Sequence, residues 1–166
     1  MKKSIFLAAL VLAFSTFASC KGKSADNQAT TENTTDSVKQ AEAPQGGGTI
    51  HLTQAEFLKK VADYKTDPKN WKYLGDKPAI IDFYATWCGP CKQVAPLLEQ
   101  LSQEYAGQIY VYKVDVDKEP ELAQQFGIQS IPTIWFVPMK GEPQVTMGAM
   151  SKEQLKEHIE KVLLSK

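Results

Sequence analysis

Two cysteines separated by two residues are the part of the sequence best suited to chemistry. Cys88 and Cys91 lie in the stretch WCGPCK at residues 87–92. A pair spaced in this way can form and break a disulfide with little movement elsewhere, because the loop between the two sulfurs is short. The pair therefore predicts thiol–disulfide exchange.

Two other uses of the pair have to be considered. A structural zinc site needs four ligands, and the other candidates are the isolated His51 and His158 and Cys20 near the N-terminus, so no metal site is predicted. A purely structural disulfide is possible in an exported protein. However, a cross-link that closes so short a loop constrains the unfolded chain little, so stability is a poor reason to have it.

The elements around the cysteines follow from local patterns. Runs rich in β-branched and aromatic residues predict central strands at Ala79 to Tyr84, Ile109 to Val116 and Thr133 to Val137. Apolar residues at Val94, Leu97, Leu98 and Leu101 recur every three or four positions, which predicts a helix after Cys91, with a kink at Pro96. Cys88 then falls at or just before the first helical turn, where free N–H groups and the helix dipole favour a thiolate.

The remaining elements complete an α/β domain. Capping boxes at Thr53 with Glu56 and at Ser151 with Gln154 predict two helices, and the second carries Leu155, Ile159 and Val162 on its apolar side. A short helix is predicted to start at Glu119-Pro120 and to stop at Gly127. An edge strand is predicted at Thr49 to Leu52, and a final strand at Val145 to Met147 is predicted to pair antiparallel with Thr133 to Val137. Two interpretations stay open for Tyr64 to Lys77: a surface loop or a segment that contacts a partner.

The first residues have the composition of an export signal. Lys2 and Lys3 precede an apolar run from Ile5 to Phe14, which is too short for a bilayer span, and small residues follow it. We therefore expect residues 1–19 to be a signal peptide and the protein to be exported.

Cys20 ends this signal in a way that resembles the lipobox of bacterial lipoproteins, although Phe17 stands where leucine is usual. The resemblance implies lipid attachment at Cys20 and a periplasmic, membrane-anchored protein. The alternative is a soluble exported protein cut near Ala18. The polar segment that follows cannot bury enough apolar area to fold, so residues 20–48 are predicted to be a tether and residues 49–166 the folded domain. Because 19 basic residues balance 19 acidic ones, no nucleic-acid partner is expected.

Taken together, several stretches resemble the thioredoxin family. The active-site stretch WCGPCK, the preceding IDFYA at residues 81–85, the later IPT at residues 131–133 and the closing Gly148-Ala149 stand in the family's order and spacing. The resemblance runs from about Ile50 to Leu164. It implies the thioredoxin fold, with a central mixed β-sheet of about five strands flanked by about four helices.

The resemblance also implies roles for individual residues. Cys88 would attack a substrate disulfide, and the more buried Cys91 would resolve the mixed disulfide. Asp82 matches the family's buried carboxylate, whose raised pKa would let it accept the proton of Cys91, and Lys113 matches the lysine near that carboxylate. Without the resemblance, Asp82 could also be an ordinary acid on a solvated strand face.

Substrate binding is likewise expected from the resemblance. Pro132 matches the family's cis-proline, which lets the backbone of Ile131 bond to an extended polypeptide. A flat apolar rim would surround Cys88, made of Trp87, Gly89, Pro90, Ile131, Gly148 and Ala149. Tyr84 departs from the family, which commonly has tryptophan at this position.

The direction of electron flow is the remaining question. Reducing thioredoxins carry a Gly-Pro pair between the cysteines, so the resemblance favours net reduction, whereas an oxidising location favours an oxidase or isomerase. A third possibility is a redox-inactive binding module on a tether. The expected partners are exported proteins that carry thiols or disulfides and a membrane redox protein that regenerates the pair. We expect a monomer and no cofactor other than the Cys88–Cys91 disulfide.

Overall fold

A five-stranded mixed sheet supports the site in the computed structural model, which describes residues 47–165. The strands are β1 (Ile50–His51), β2 (Ala79–Tyr84), β3 (Tyr110–Asp115), β4 (Thr133–Val137) and β5 (Gln144–Met147). Their order is β1-β3-β2-β4-β5, with β1 and β2 parallel to β3, β4 antiparallel to β2, and β5 antiparallel to β4. The predicted signal peptide, Cys20 and the tether before residue 47 lie outside the described residues.

Helices cover both faces of this sheet. They are α1 (Gln54–Lys60), α2 (Gly89–Glu104), α3 (Pro120–Gln125) and α4 (Lys152–His158). Both predicted capping boxes are present, at Thr53 with Glu56 and at Ser151 with Gln154. The thioredoxin fold expected from the sequence is therefore confirmed.

Strand β2 is the centre of the core. Residues 79–83 are all fully buried, because each face of the strand packs under a different layer. Side chains alternate along a strand, so Ile81 packs with Phe57 and Leu122 on one side, whereas Ile80 packs with Leu98 on the other. Asp82 lies two residues after Ile80, so its carboxyl projects from the same face of the sheet, the face covered by α2.

The last helix differs from the prediction. After α4 the chain continues as a π-helical turn, Ile159–Leu163, in which the N–H of Leu164 bonds to the carbonyl of Ile159 at 3.0 Å. Leu163 is buried in this turn, and the predicted Val162 is half-buried and packs against the same core as Leu155 and Ile159.

Helix α2 runs without interruption through Pro96, and its buried side includes the predicted Val94, Leu98 and Leu101. The kink at Pro96 stays a prediction.

The segment from Tyr64 to Lys77 is more than a surface loop. Tyr64 is buried, and Trp71 and Tyr73 pack against the core beneath α1. The rings of Tyr64 and Phe126 meet edge to face with centroids 5.1 Å apart. Contacts between residues so far apart in the chain leave no local signal, which explains why the sequence pattern did not reveal this packing.

None of the helices in residues 47–165 is long and apolar enough to cross a membrane.

Candidate active site

The two cysteines lie where the central strand passes into a helix. Cys88 is the N-cap of α2, and Pro90 occupies the first turn, where a proline costs no intrahelical hydrogen bond. The backbone N–H of Cys91 donates to the Sγ of Cys88 at 3.2 Å. Cys88 therefore lies at the positive end of a 16-residue helix, as predicted, in the position that stabilises a thiolate.

The cysteines are joined in a disulfide, with their Cα atoms 5.3 Å apart. Cys88 is 4% exposed and Cys91 is 3% exposed, so the expected contrast in burial is absent in this oxidised state. The Sγ of Cys88 lies 3.7 Å from the carbonyl oxygen of Ile131. The pair is thus covered on one side by the loop before β4.

That loop has the conformation that the resemblance implied. The peptide bond between Ile131 and Pro132 is cis, and the N–H of Gly148 donates to the carbonyl of Pro132 at 2.8 Å. Gly148 has a φ of +91°, a conformation that residues with a Cβ rarely adopt. Glycine at this position therefore keeps the end of β5 beside the cis-proline.

The predicted rim is uneven in exposure. Trp87 is 67% exposed, and Gly89, Pro90 and Ala149 are exposed as well. Ile131 and Gly148 are half-buried and Pro132 is buried, which forms a shallow surface beside the disulfide. The roles of these residues in substrate binding stay predictions.

One partner of this rim was missed from the sequence. The indole N–H of Trp87 donates to Oδ2 of Asp117 at 2.7 Å, which fixes the ring beside the cysteines. Asp117 follows β3 by two residues. Its position at the carboxyl end of a predicted strand is the only local signal that could have suggested it.

A buried ion pair lies on the sheet face beneath α2. Nζ of Lys113 bonds to Oδ2 of Asp82 at 2.9 Å, and the two residues are direct partners in the register of β2 and β3. Burial raises the pKa of Asp82, whereas the charge of Lys113 lowers it, and burial is the larger effect. Oδ1 of Asp82 has no hydrogen-bond partner among residues 47–165. This carboxyl thus retains a free acceptor and an affinity for a proton.

Tyr84 and His51 enclose the outer side of the ion pair. Nζ of Lys113 lies 4.3 Å from the centroid of the Tyr84 ring, a distance that gives a favourable cation–π contact. The hydroxyl of Tyr84 lies 3.2 Å from Nδ1 of His51. Burial and the charge of Lys113 lower the pKa of His51, which favours the neutral imidazole that can accept this hydrogen bond. Neither contact was predicted.

The arrangement is suited to redox chemistry at sulfur. It combines a reversible disulfide at a helix N-terminus with a buried carboxyl that can take up a proton. Within residues 47–165, no group of histidine, cysteine and acidic side chains is arranged to hold a metal ion. The fold and the site together define a protein thiol–disulfide oxidoreductase.

Comparisons with known proteins give the family. A sequence model of the thioredoxin family matches residues 48–161. The chain is 51% identical over 104 residues to a thioredoxin of Borreliella burgdorferi, which covers 63% of this chain and 88% of that protein. It is 45% identical over 117 residues to a thioredoxin of Alicyclobacillus acidocaldarius, which covers 69% and 98%. The chain belongs to the thioredoxin family.

A solved structure agrees with this assignment. Chloroplastic thioredoxin z is 29% identical and superposes with a TM-score of 0.56, covering 69% of this chain and 93% of that one. Thioredoxins exchange electrons with protein disulfides and with a reductase partner, and they need no cofactor beyond their own redox-active disulfide.

Proposed function

We propose that the protein reduces disulfides in exported proteins from a membrane-tethered position outside the cytoplasm. The observation that carries the proposal is a thioredoxin redox pair in the same chain as a signal-like N-terminus that ends at Cys20. A lipid on Cys20 and the polar tether after it would hold the domain near the membrane that supplies its electrons. Disulfides are common in that compartment, so substrates are present there.

The first step is attack by Cys88. In the reduced protein the Cys88 thiolate attacks one sulfur of a substrate disulfide; a bond forms between Cys88 and that sulfur, and the other substrate sulfur leaves as a thiolate. The N-terminus of α2 stabilises the attacking thiolate, because its unpaired N–H groups point toward Cys88. The rim around Trp87 and the backbone of Ile131 orient the substrate polypeptide.

The second step is resolution by Cys91. The Cys91 sulfur attacks the Sγ of Cys88, the internal disulfide forms, and the second substrate sulfur leaves with the electron pair. Cys91 must lose a proton for this attack. Asp82 accepts it through Oδ1, the oxygen that Lys113 does not occupy, with a water molecule relaying the proton. The oxidised protein then takes two electrons from a membrane redox partner.

The redox state of Cys88 and Cys91 in growing cells tests the direction. Rapid acid quenching followed by alkylation separates dithiol from disulfide, and a mostly dithiol pair is expected for a reductase. A mostly disulfide pair would instead support an oxidase or isomerase, the function that an oxidising compartment favours. Insulin reduction with dithiothreitol, lost in Cys88→Ser, distinguishes both from a redox-inactive binding module.

Cell fractionation tests the location. The parent protein is expected in the membrane fraction, and Cys20→Ala is expected in the soluble fraction outside the cytoplasm. A Cys20→Ala variant that still sediments with membranes would contradict lipid attachment.

Trapping tests the division of labour between the cysteines. Cys91→Ser is expected to accumulate mixed disulfides with substrates through Cys88, which are visible on non-reducing gels and vanish in the double variant Cys88→Ser, Cys91→Ser. If Cys91→Ser captures nothing while the parent is active, the assigned roles are wrong.

A further inference from the structure

Strand β5 carries two large apolar side chains that are open to solvent. Val145 is 54% exposed and Met147 is 75% exposed. Because side chains alternate along a strand, both project from the same face of the sheet, and the register places Val145 beside Trp135. Met147 directly precedes Gly148 of the active-site rim. An apolar stripe therefore starts at the rim and runs along β5 away from the cysteines.

The backbone of β5 is also open on its outer side. The hydrogen bond from Gly148 to Pro132 makes these two residues a hydrogen-bonded pair of the antiparallel ladder. Hydrogen-bonded pairs alternate along such a ladder with pairs that are not bonded, so Thr146 and Ile134 form the next hydrogen-bonded pair. The N–H and C=O groups of Val145 and Met147 consequently point away from β4. Because β5 is the edge of the sheet, no strand within residues 47–165 pairs with these groups.

The stripe ends in a groove of about 770 Å³. Its walls come from the segment between α1 and β2, from the end of α3, and from β4 and β5, and they include Tyr64, Trp71, Phe126, Trp135, Pro143 and Val145. Trp71 and Trp135 meet edge to face with ring centroids 5.8 Å apart. Neither indole N–H has a hydrogen-bond acceptor in the described part of the chain. Both indole nitrogens are buried, so the groove offers a ligand the faces and edges of its aromatic rings beside the polar side chains of its rim.

The charges around the groove nearly cancel. Acidic Asp63, Asp67 and Glu142 line it together with basic Lys69 and Lys72. A strongly charged ligand such as a phosphate compound would gain little from this mixture. A neutral, apolar polypeptide segment fits the lining better.

We propose that β5 and this groove extend the substrate-binding surface and take an extended apolar segment of the disulfide-bearing protein. The segment adds to β5 as a further strand, its main chain bonds to the outward groups of Val145 and Met147, and a large apolar side chain enters the groove. The inference rests on the proposed reduction of protein disulfides.

Continuity with the rim favours this occupant. Val145 lies three residues from Gly148, a distance of about 10 Å along a strand, so a polypeptide whose disulfide reaches Cys88 also reaches the groove. A small disulfide cannot span that distance. The surface would thus favour protein substrates over small disulfides.

The test compares two substrates, insulin and the small disulfide 5,5′-dithiobis(2-nitrobenzoate). In Val145→Glu, the ratio of kcat/KM for insulin to the rate constant for the small disulfide is expected to fall about tenfold, because a carboxylate would be buried under the substrate. Val145→Thr keeps the β-branched shape and is expected to lower the ratio only a few-fold. Met139→Glu adds the same charge at an exposed methionine outside the groove lining, and its ratio is expected to match the parent.

Hydrogen exchange supplies a second measurement. In a mixed disulfide between the Cys91→Ser variant and the insulin B chain, the amides of Val145 and Met147 are expected to exchange more slowly than in the free variant.

An unchanged ratio in Val145→Glu, or unchanged exchange at both amides, would overturn the proposal. So would a parent that sediments as a dimer and becomes monomeric in Val145→Glu, because a second copy would then occupy the edge. Reduction of the small disulfide by the parent reports the exchange chemistry independently of either outcome.

Discussion

Replacement of Asp82 by asparagine tests the proposed proton acceptor directly. The amide has nearly the same shape, and its oxygen can still accept the bond from Lys113 that is 2.9 Å long in the parent. What the variant loses is the ability to take a proton at the oxygen that has no partner in residues 47–165. Resolution by Cys91 should therefore slow, whereas attack by Cys88, which needs no base, should not.

The size of the effect follows from the role of the carboxyl. A positioned general base contributes about 10²- to 10⁴-fold, and we expect a loss on the order of 10²-fold because water can also take the proton. In stopped flow, reduced protein and 5,5′-dithiobis(2-nitrobenzoate) release one thionitrobenzoate on attack and a second on resolution. Asp82→Asn should slow only the second phase. Equal slowing of both phases would refute the assignment.

The pH dependence gives an independent check. In the parent, the second phase should accelerate as pH rises through the raised pKa of Asp82, because only the ionised carboxyl accepts a proton. Asp82→Asn should lack this inflection. An identical pH profile in both proteins would assign the inflection to another group.

The free energy of unfolding should fall with rising pH, whereas the resolution rate should rise. Because the pKa of Asp82 is raised in the folded state, that state binds the proton more tightly than the unfolded chain does, and the free energy of unfolding falls as pH rises from the ordinary aspartate pKa to the raised one. The loss is about 1.4 kcal/mol for each tenfold difference in proton affinity between the folded and unfolded states. Asp82→Asn should lack it and be the more stable protein at neutral pH, as measured by urea unfolding of the oxidised forms. The same pH slope in both proteins would contradict burial of a carboxylate that Lys113 compensates only in part.

Substitutions at three further positions have expected outcomes. Lys113→Met removes the charge that lowers the pKa of Asp82, so the inflection in the resolution rate should move to higher pH; an unmoved inflection would mean that the ion pair does not tune this carboxyl. Phe136→Ala empties a fully buried site and should cost about 3–5 kcal/mol in urea unfolding, whereas a loss below about 1 kcal/mol would contradict the packing. Thr53→Ala removes the N-cap of α1 and should cost about 1 kcal/mol, while Thr53→Ser should cost less.

Local patterns in the sequence located most of the fold. The predicted bounds of β2 and β4 match the structure, and β3 is one residue shorter at each end than predicted. Such signals are local, because strand periodicity and capping boxes act within a few residues. The packing of Trp71 on Trp135 depends on a tertiary contact, which no short window of sequence contains, and no local pattern distinguished the π-helical turn at Ile159–Leu163 from an α-helix.

The site was predictable to a different degree. The spacing of Cys88 and Cys91 indicated thiol–disulfide exchange but left a structural disulfide possible, whereas the roles of Asp82 and Lys113 came from family resemblance. The structure adds a geometric reason, since these two residues are register partners on adjacent parallel strands. The contact of Tyr84 with His51 joins residues 33 positions apart, so the sequence around neither residue could have predicted it.

Burial of the Asp82 carboxyl lowers the stability of the fold, and the structure shows how the fold tolerates it. Its carboxyl is fully buried at the centre of the sheet, and within residues 47–165 only one of its two oxygens has a partner, Lys113. A second partner would remove the remaining cost, but it would also occupy the oxygen that must take the proton of Cys91. The fully buried apolar residues on either side of Asp82, Ile81 and Phe83, supply the packing that tolerates this cost. The same buried, ionisable carboxyl therefore accounts for both expected effects of Asp82→Asn, a slower resolution step and a more stable fold at neutral pH.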